Sequence, residues 1–228
     1  MLQQTQVPRV IEKYEEFLKA FPNVRALAKA PLSDVLKVWS GMGYNRRAKF
    51  LRNVAKTIML TFRGRVPVAR DDLRALPGVG PYTASAVRVF AFNEPDILIE
   101  TNVRAAIIHH FFADTLKVRD RAILVYAEKA ANGQDPRTWY WALMDYGAHL
   151  KRRGVRNNHR SAHYTRQSKF EGSLRQVRGM LLRELQSGSL TDAAVRRRLE
   201  ASPLYAKALE GLARDGLIQN KKGMWRIA

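Results

Sequence analysis

Apolar side chains recur at helical spacing along most of the chain. In residues 6–20 (QVPRVIEKYEEFLKA), Val10, Tyr14, Phe17 and Leu18 fall on one face and Glu and Lys on the other, which predicts an amphipathic helix. Phe21-Pro22-Asn23 breaks it. Residues 24–30 predict a short second helix, and Ser33 is placed to cap a third that runs through Trp39. Gly41 and Gly43 mark a turn, after which Arg46 to Phe62 returns to helical period and Gly64 to Pro67 reads as a loop. Asp71 to Leu76 reads as a short helix with acids in its first turn. Behind Pro81, a residue suited to the first helical position, Tyr82 to Phe92 continues without a breaker. Val103 to Phe112 is apolar on most faces, as a buried helix is, and residues 119–131 and 136–150 predict two more. Strand signals are scarce before residue 215. The body is predicted to be all-α.

The pattern changes at Lys151. Residues 151–169 (KRRGVRNNHRSAHYTRQSK) hold no acid and no apolar stripe and predict an irregular basic connector, either solvated or in contact with phosphate. Ser173 to Gln186, Thr191 to Ala201 and Pro203 to Asp215 predict three helices, with Thr191 and Ser202 as caps, and residues 216–227 alternate around a turn as a β-hairpin does. The expected organisation is therefore a helical body over 1–150, a connector over 151–172 and a winged-helix-like module of three helices plus a β-hairpin over 173–228. Modules of that kind bind DNA or partner proteins, and the pattern does not choose between them.

Composition narrows the partner. Forty Lys and Arg stand against twenty Asp and Glu, a net charge of +20, which predicts a polyanion, with nucleic acid ahead of an anionic membrane surface. The chain is 46% hydrophobic, enough for a globular interior, yet no apolar run reaches the length of a membrane span. Met1 is not followed by a basic-then-apolar signal, so the expected location is the cytoplasm, with the nucleoid in a prokaryote. Cysteine is absent, which excludes disulfides and thiolate metal sites. His159 and His163 have the spacing of half a zinc site with His149 nearby, but no cysteine or close acid completes it, and no metal is expected.

Between the two short helices, Gly78 and Gly80 allow a tight turn with positive φ and leave the backbone bare. Unshielded N–H groups at a helix start suit an anion, most often a phosphate, although a corner that only packs has the same spacing. The literal string Leu76-Pro77-Gly78-Val79-Gly80-Pro81-Tyr82-Thr83-Ala84 is more specific. It resembles the helix-hairpin-helix of the endonuclease III and MutY superfamily of DNA base-excision glycosylases. Members carry an essential carboxylate after the second hairpin helix, where this chain has Ile99-Glu100-Thr101-Asn102-Val103-Arg104. Met1-Leu2-Gln3-Gln4-Thr5-Gln6-Val7 is similar to the MutY-type adenine glycosylases in particular. Gly41-Met42-Gly43-Tyr44 with Arg46 and Arg47 resembles a fourth block.

Cleaving an N-glycosidic bond builds cationic character on the sugar, so a nearby carboxylate is needed to stabilise it. Adenine must also be protonated to leave, and the base must first be rotated out of the duplex. The resemblance gives Glu100 the carboxylate role and Asn102 the positioning of the sugar or of that carboxylate. It gives Gly78, Val79, Gly80, Tyr82 and Thr83 to the grip on DNA. Gln4 and Thr5 would enter the duplex beside 8-oxoguanine, Met42 and Tyr44 would wedge and stack there, and Arg46 and Arg47 would join them. Plainer roles stand beside these: a helix-start carboxylate for Glu100, core packing for Tyr82 and packing on Trp39 for Tyr44. Tyr82 occupies the position where bifunctional relatives carry a Schiff-base lysine, so a monofunctional enzyme is implied.

Three departures qualify the resemblance. Glu100 stands where the family has aspartate. The family's general-acid glutamate falls two residues ahead of Met1, so adenine excision by the chain as written is expected to be severely impaired unless the coding region starts further upstream. Most relatives hold a four-iron cluster with cysteines in the segment that matches 151–167, so a clusterless branch with no cofactor is implied, with room for a monovalent cation at the hairpin. The expected partner is double-stranded DNA carrying a mismatch or an oxidised guanine, bound by a monomer. Adenine opposite 8-oxoguanine or guanine is the first expected substrate. A T:G or uracil mismatch is the second, and a damaged-DNA binder that breaks no bond is the third reading.

Overall fold

The computed structural model describes residues 1–3, 5, 7–165, 169–201 and 203–228, the side chains of 196, 199–201 and 203 excepted. The expected lesion contact of Gln4 and the expected cap at Ser202 lie outside the described residues. The chain folds into two compact units, one of residues 1–66 with 168–228 and the other of residues 67–167. This differs from the expected sequential division into three parts, and the reason lies in the core of the first unit.

That unit begins with α1 (Val7–Ala20), α2 (Val24–Lys29), α3 (Leu32–Val38) and α4 (Arg46–Thr61). Asn23 caps α2 through its side chain, which accepts from the Ala26 amide at 2.9 Å. Ser33 does not cap α3: Pro31 holds the cap position, and the Ser33 hydroxyl donates to Asp34 instead. The unit resumes with α10 (Leu174–Ser187), β1 (Leu190–Thr191), α11 (Asp192–Ala201), α12 (Pro203–Arg214), β2 (Ile218–Lys221) and β3 (Met224–Ile227). Ser173 and Thr191 cap α10 and α11 through bonds from the Gln176 and Ala194 amides. The expected hairpin gains a third strand, β1, in an antiparallel sheet of order β1-β3-β2. Trp39, Leu36 and Val35 from the N-terminal helices share one buried cluster with Leu181, Leu182, Leu212 and Leu217. Each such side chain contributes about 1.5–3 kcal/mol when fully buried, so these two stretches stabilise each other.

The second unit comprises α5 (Arg70–Ala75), α6 (Pro81–Val87), α7 (Thr101–Phe111), α8 (Asp120–Ala131) and α9 (Pro136–Arg152). A π turn, Arg88–Phe92, extends α6, and Asn93 ends it in the left-handed region at φ 57°. Val89, Leu98, Val103, Ile108, Ile123 and Tyr140 form its core. Beyond α9 the basic connector is more regular than expected. Gly154, at φ +85°, closes the helix with a Schellman pair, Gly154 N–H to Lys151 O and Val155 N–H to Leu150 O. A 3-10 turn follows at Asn157–Arg160, and Val118 pairs with Ser161 in a parallel bridge. Among the described residues no helix is long and apolar enough to cross a membrane.

Candidate active site

In the 67–167 unit, the corner between α5 and α6 forms as a tight turn. Pro77 and Gly78 are its central residues, Gly78 has φ +74°, and the Val79 amide donates to the Leu76 carbonyl at 3.1 Å. Proline followed by a positive-φ glycine fits a type II turn. Leu76 is buried and anchors the corner, while Gly78, Gly80, Pro81 and Tyr82 are exposed at its tip and Val79 and Thr83 are half-buried. A Cβ placed on Gly80 would meet nothing within 4 Å, so the backbone there faces open space.

The chain after the π turn runs without regular secondary structure to Glu100, and two buried groups fix its path. Asp96, whose side chain is 5% exposed, pairs with Arg88 at 3.0 Å and accepts from the Ser85 hydroxyl at 2.9 Å and from the Ile97 amide at 2.7 Å. Arg70 approaches the same carboxylate from α5 at 3.5 Å. Two residues on, the Leu98 amide donates to the Tyr140 hydroxyl of α9 at 3.0 Å. Neither Asp96 nor Tyr140 was expected as a site residue. The signal was an acid set directly before Ile97-Leu98-Ile99, where burial without partners would be costly.

Glu100 caps α7. Its Oε1 accepts from the Asn102 amide at 2.6 Å and the Val103 amide at 2.7 Å. The plainer role of a helix-start carboxylate is therefore real, and the acid is half-buried while filling it. Burial raises its pKa above the ordinary glutamate value, and the amide bonds and Arg104 pull it back. The Tyr82 phenol is pushed up first by burial and then by the negative charge of Glu100, which places the hairpin tyrosine within electrostatic reach of the acid. Tyr82 nevertheless keeps 38% of its surface exposed, more than core packing alone would leave. Asn102 is half-buried in the first turn of α7, and Gly147 of α9 lies against its backbone: a Cβ on Gly147 would come within 2.2 Å of the Asn102 carbonyl oxygen. The structure thus brings together Gly78, Gly80, Tyr82, Glu100 and Asn102 in one unit.

The other predicted residues belong to the unit of 1–66 with 168–228. Met42 is 2% exposed and packs in the core, which corrects its expected role as a wedge: a buried thioether is not available to a duplex. Arg47 also turns inward. Its guanidinium donates to the Met1, Met42 and Gly43 carbonyls and to the Thr5 hydroxyl, at 3.0 to 3.4 Å, and stacks over Trp39 and Tyr44. Burial lowers its pKa. It organises the glycine loop, and its expected place on DNA is corrected accordingly. The Thr5 hydroxyl donates to the Met42 carbonyl at 3.2 Å, so it is held in the same cluster. Tyr44, 37% exposed, adopts φ 47°, a conformation that costs a non-glycine residue about 1–3 kcal/mol and persists only where neighbours enforce it. Those neighbours are Arg47 beneath the ring and Arg175 of α10, which donates to the phenol oxygen at 3.3 Å. Arg46 is exposed, lies over Phe50 and reaches Asp215 at 3.5 Å.

A basic cleft of about 390 Å³ opens beside the start of α7, with Arg104, Lys151, Arg156 and His163 among its walls. Asp120 partly balances it, in a bidentate pair with Arg104 at 2.9 Å. Among the described residues no three His, Cys, Asp or Glu side chains gather as metal ligands would.

A family model described as "HhH-GPD superfamily base excision DNA repair protein" matches residues 1–129. The chain belongs to this superfamily. An adenine DNA glycosylase of Mycolicibacterium smegmatis is 33% identical to this HhH-GPD chain over its whole length and 85% of the relative's. One from Buchnera aphidicola is 39% identical over 49% of this chain but only 32% of its own length. A thymine-DNA glycosylase of Aeropyrum pernix is 33% identical over 61% of this chain and 57% of its own. Among solved structures, a thermostable thymine-DNA glycosylase superposes with a TM-score of 0.56 at 28% identity, covering 64% of this chain and 69% of that one. An endonuclease III bound to DNA gives a TM-score of 0.50 at 20% identity, a likeness of the HhH-GPD fold alone.

Proposed function

We propose that the protein is a monofunctional DNA glycosylase that hydrolyses the N-glycosidic bond of adenine mispaired with 8-oxoguanine or guanine in double-stranded DNA. The observation that carries this reading is the Glu100 carboxylate, held half-buried on the amides of Asn102 and Val103. As the bond from C1′ to the base breaks, its electron pair leaves with the base and positive charge develops on the sugar. A fixed anion in a partly desolvated place stabilises that charge more than solvent does, and needs no reorganisation. Water then adds to C1′. The base takes up a proton as it departs, and the water that adds to C1′ gives one up to solvent. Tyr82 offers no amine, so no Schiff base forms and the strand is left intact. The exposed glycine corner grips the phosphate backbone through the amides of Gly78 and Gly80, the Val79 amide being spent on the turn.

The reading includes no iron–sulfur cluster. The chain has no cysteine to hold one, and the segment after α9 is supported instead by the Schellman closure, the bridge at Ser161 and a bond from the buried Asn157 side chain to the Ala105 carbonyl. It works as a monomer, with room for a monovalent cation at the hairpin. Similarity to the Aeropyrum thymine-DNA glycosylase favours a second reading, removal of thymine from T:G pairs.

The test is a duplex panel with A:8-oxoguanine, A:G, T:G and U:G pairs, treated with alkali after incubation with the gene product including any residues encoded ahead of Met1. Adenine release from the first two pairs, with strand breaks only after alkali, is expected. Release from T:G alone would replace the first reading with the second, and no release from either adenine pair refutes it.

A further inference from the structure

One face of the three-stranded sheet takes no part in the candidate active site. The register sets Thr191 and Lys221 opposite Met224 and Gln219 opposite Arg226. Side chains alternate along strands, so these five residues share the outer face, while Trp225 and Ile227 turn toward the core. None of the five is a carboxylate. Lys221, Lys222, Met224 and Arg226 are exposed, and with Ser189 they line an open concavity of about 620 Å³. Two carboxylates of the same module are engaged elsewhere: Asp215 with Arg178 and Arg46, Glu184 with Arg198.

The turn that presents the lysines is built rigidly. Lys222 and Gly223 both have positive φ, 54° and 76°, as a type I′ hairpin requires. Asp192, the first residue of α11, clamps the hairpin: its Oδ1 accepts from the Asn220 amide nitrogen and from the Trp225 indole, each at 2.8 Å, and its own N–H donates to the Gly223 carbonyl at 3.0 Å. A turn whose backbone is fixed before binding loses less entropy on meeting a partner than a mobile one.

The chemistry of the face distinguishes between polyanions. Cores of protein–protein interfaces are depleted in lysine and enriched in exposed aromatics, whereas here the one aromatic of the hairpin is turned inward and lysine dominates. Ser189, Thr191 and Gln219 add neutral hydrogen-bonding groups of the kind that meet phosphate oxygens. Residues 173–228 as a whole hold eleven Lys and Arg against five Asp and Glu. We propose that this sheet face is a second, sequence-independent binding surface for duplex DNA, on which Lys221, Lys222 and Arg226 neutralise backbone phosphates. The inference rests on the DNA glycosylase reading for its partner but not for its readout.

The experiment measures binding of the full chain to a lesion-free fluorescent duplex by anisotropy across a salt series, for wild type and K221S/K222S/R226S. Each phosphate left without its cation flattens the plot of log K against log salt by about 0.9, so the triple variant is expected to lose about 2–3 from the slope and at least about tenfold in affinity at low salt. K221R/K222R, which keeps the charge, retains the wild-type slope. Single-turnover base release at saturating enzyme is unchanged in every variant. An unchanged slope and affinity in the triple variant overturns the proposal while leaving the glycosylase reading intact. Loss of binding to a polyglutamate peptide with duplex binding unaltered also overturns it, in favour of an acidic protein. A flattened slope in a chain that releases no base from any duplex upholds the surface and refutes the enzyme.

Discussion

Glu100 both caps a helix and supplies a charge, and a single substitution separates the two. In Glu100→Gln the side-chain oxygen that accepts from Asn102 and Val103 is retained, so the cap geometry survives. What disappears is the negative charge. Removing one preorganised group aimed at developing charge costs about 3 kcal/mol of transition-state stabilisation, or roughly a hundredfold in rate. Stability should move far less. Burial raises the Glu100 pKa, so ionisation at neutral pH opposes folding, and a neutral amide relieves that opposition. Against this, the two amide bonds lose their charge assistance, which roughly doubles their strength in the wild type. These opposing changes leave the thermal midpoint within about 3 °C of wild type.

Glu100→Ala removes cap and charge together. It is expected to lose the same hundredfold in rate and, in addition, about 0.5–2 kcal/mol of stability. Glu100→Asp keeps the charge with a side chain better suited to capping, and retains activity. The assay is single-turnover base release with enzyme in excess, paired with thermal unfolding of each variant. Should Glu100→Gln release adenine within about threefold of wild type, the carboxylate is only a cap and the mechanism is wrong. A rate that falls only in proportion to lost folding refutes it equally.

Gly147→Ala is expected to destabilise by about 1–3 kcal/mol or more and to slow base release, because the added methyl meets the Asn102 backbone and not a movable side chain; a melting curve and a single-turnover rate check both. The rate should fall on the acid side at a pH above the ordinary glutamate value of about 4.3, since burial raises the Glu100 pKa and the ionised form is the active one. A pH–rate profile flat down to about pH 4 would contradict it. Leu181→Ala, in the core shared by Trp39 and Leu212, is expected to cost about 2–5 kcal/mol. Because both stretches of that unit share one core, Trp39 and Trp225 fluorescence should report the same shifted transition.

The helices were legible because their apolar periods are strong and their punctuation is local. Asn23, Pro81, Asp135 and Ser173 each act within one turn of the helix they start. The corner from Leu76 to Thr83 was equally legible, since proline and glycine determine its dihedral angles directly. The joint core of residues 1–66 with 168–228 was not, because periodicity says which face is buried but not what covers it. The loop at Met42 failed for a related reason. Two positive-φ glycines, Gly41 and Gly43, decide where the side chain between them points, and here they send it into the core. The resemblance of its block set Arg47 among the DNA contacts, yet four acceptors around it outweigh what solvent offers. Asp96 and Tyr140 lie forty-four residues apart in the sequence, and only the fold brings both onto the segment leading to Glu100.

That convergence explains how a glutamate can stand where the superfamily resemblance expects an aspartate. A side chain longer by one methylene would carry its charge past the same point if it extended straight from the backbone, and displacements on that scale matter to rate. Here it does not extend. Glu100 has extended backbone angles, φ −119° and ψ −176°, and folds its carboxylate back onto the amides of the second and third residues of α7. The fold-back takes up the extra length only if the backbone on both sides is fixed. Asp96 and Tyr140 hold the approach, and the close approach of Gly147 to Asn102 holds the departure. The acid therefore owes its position less to its own length than to the residues that brace the backbone on either side of it, and loosening any of them should displace the charge without altering its chemistry.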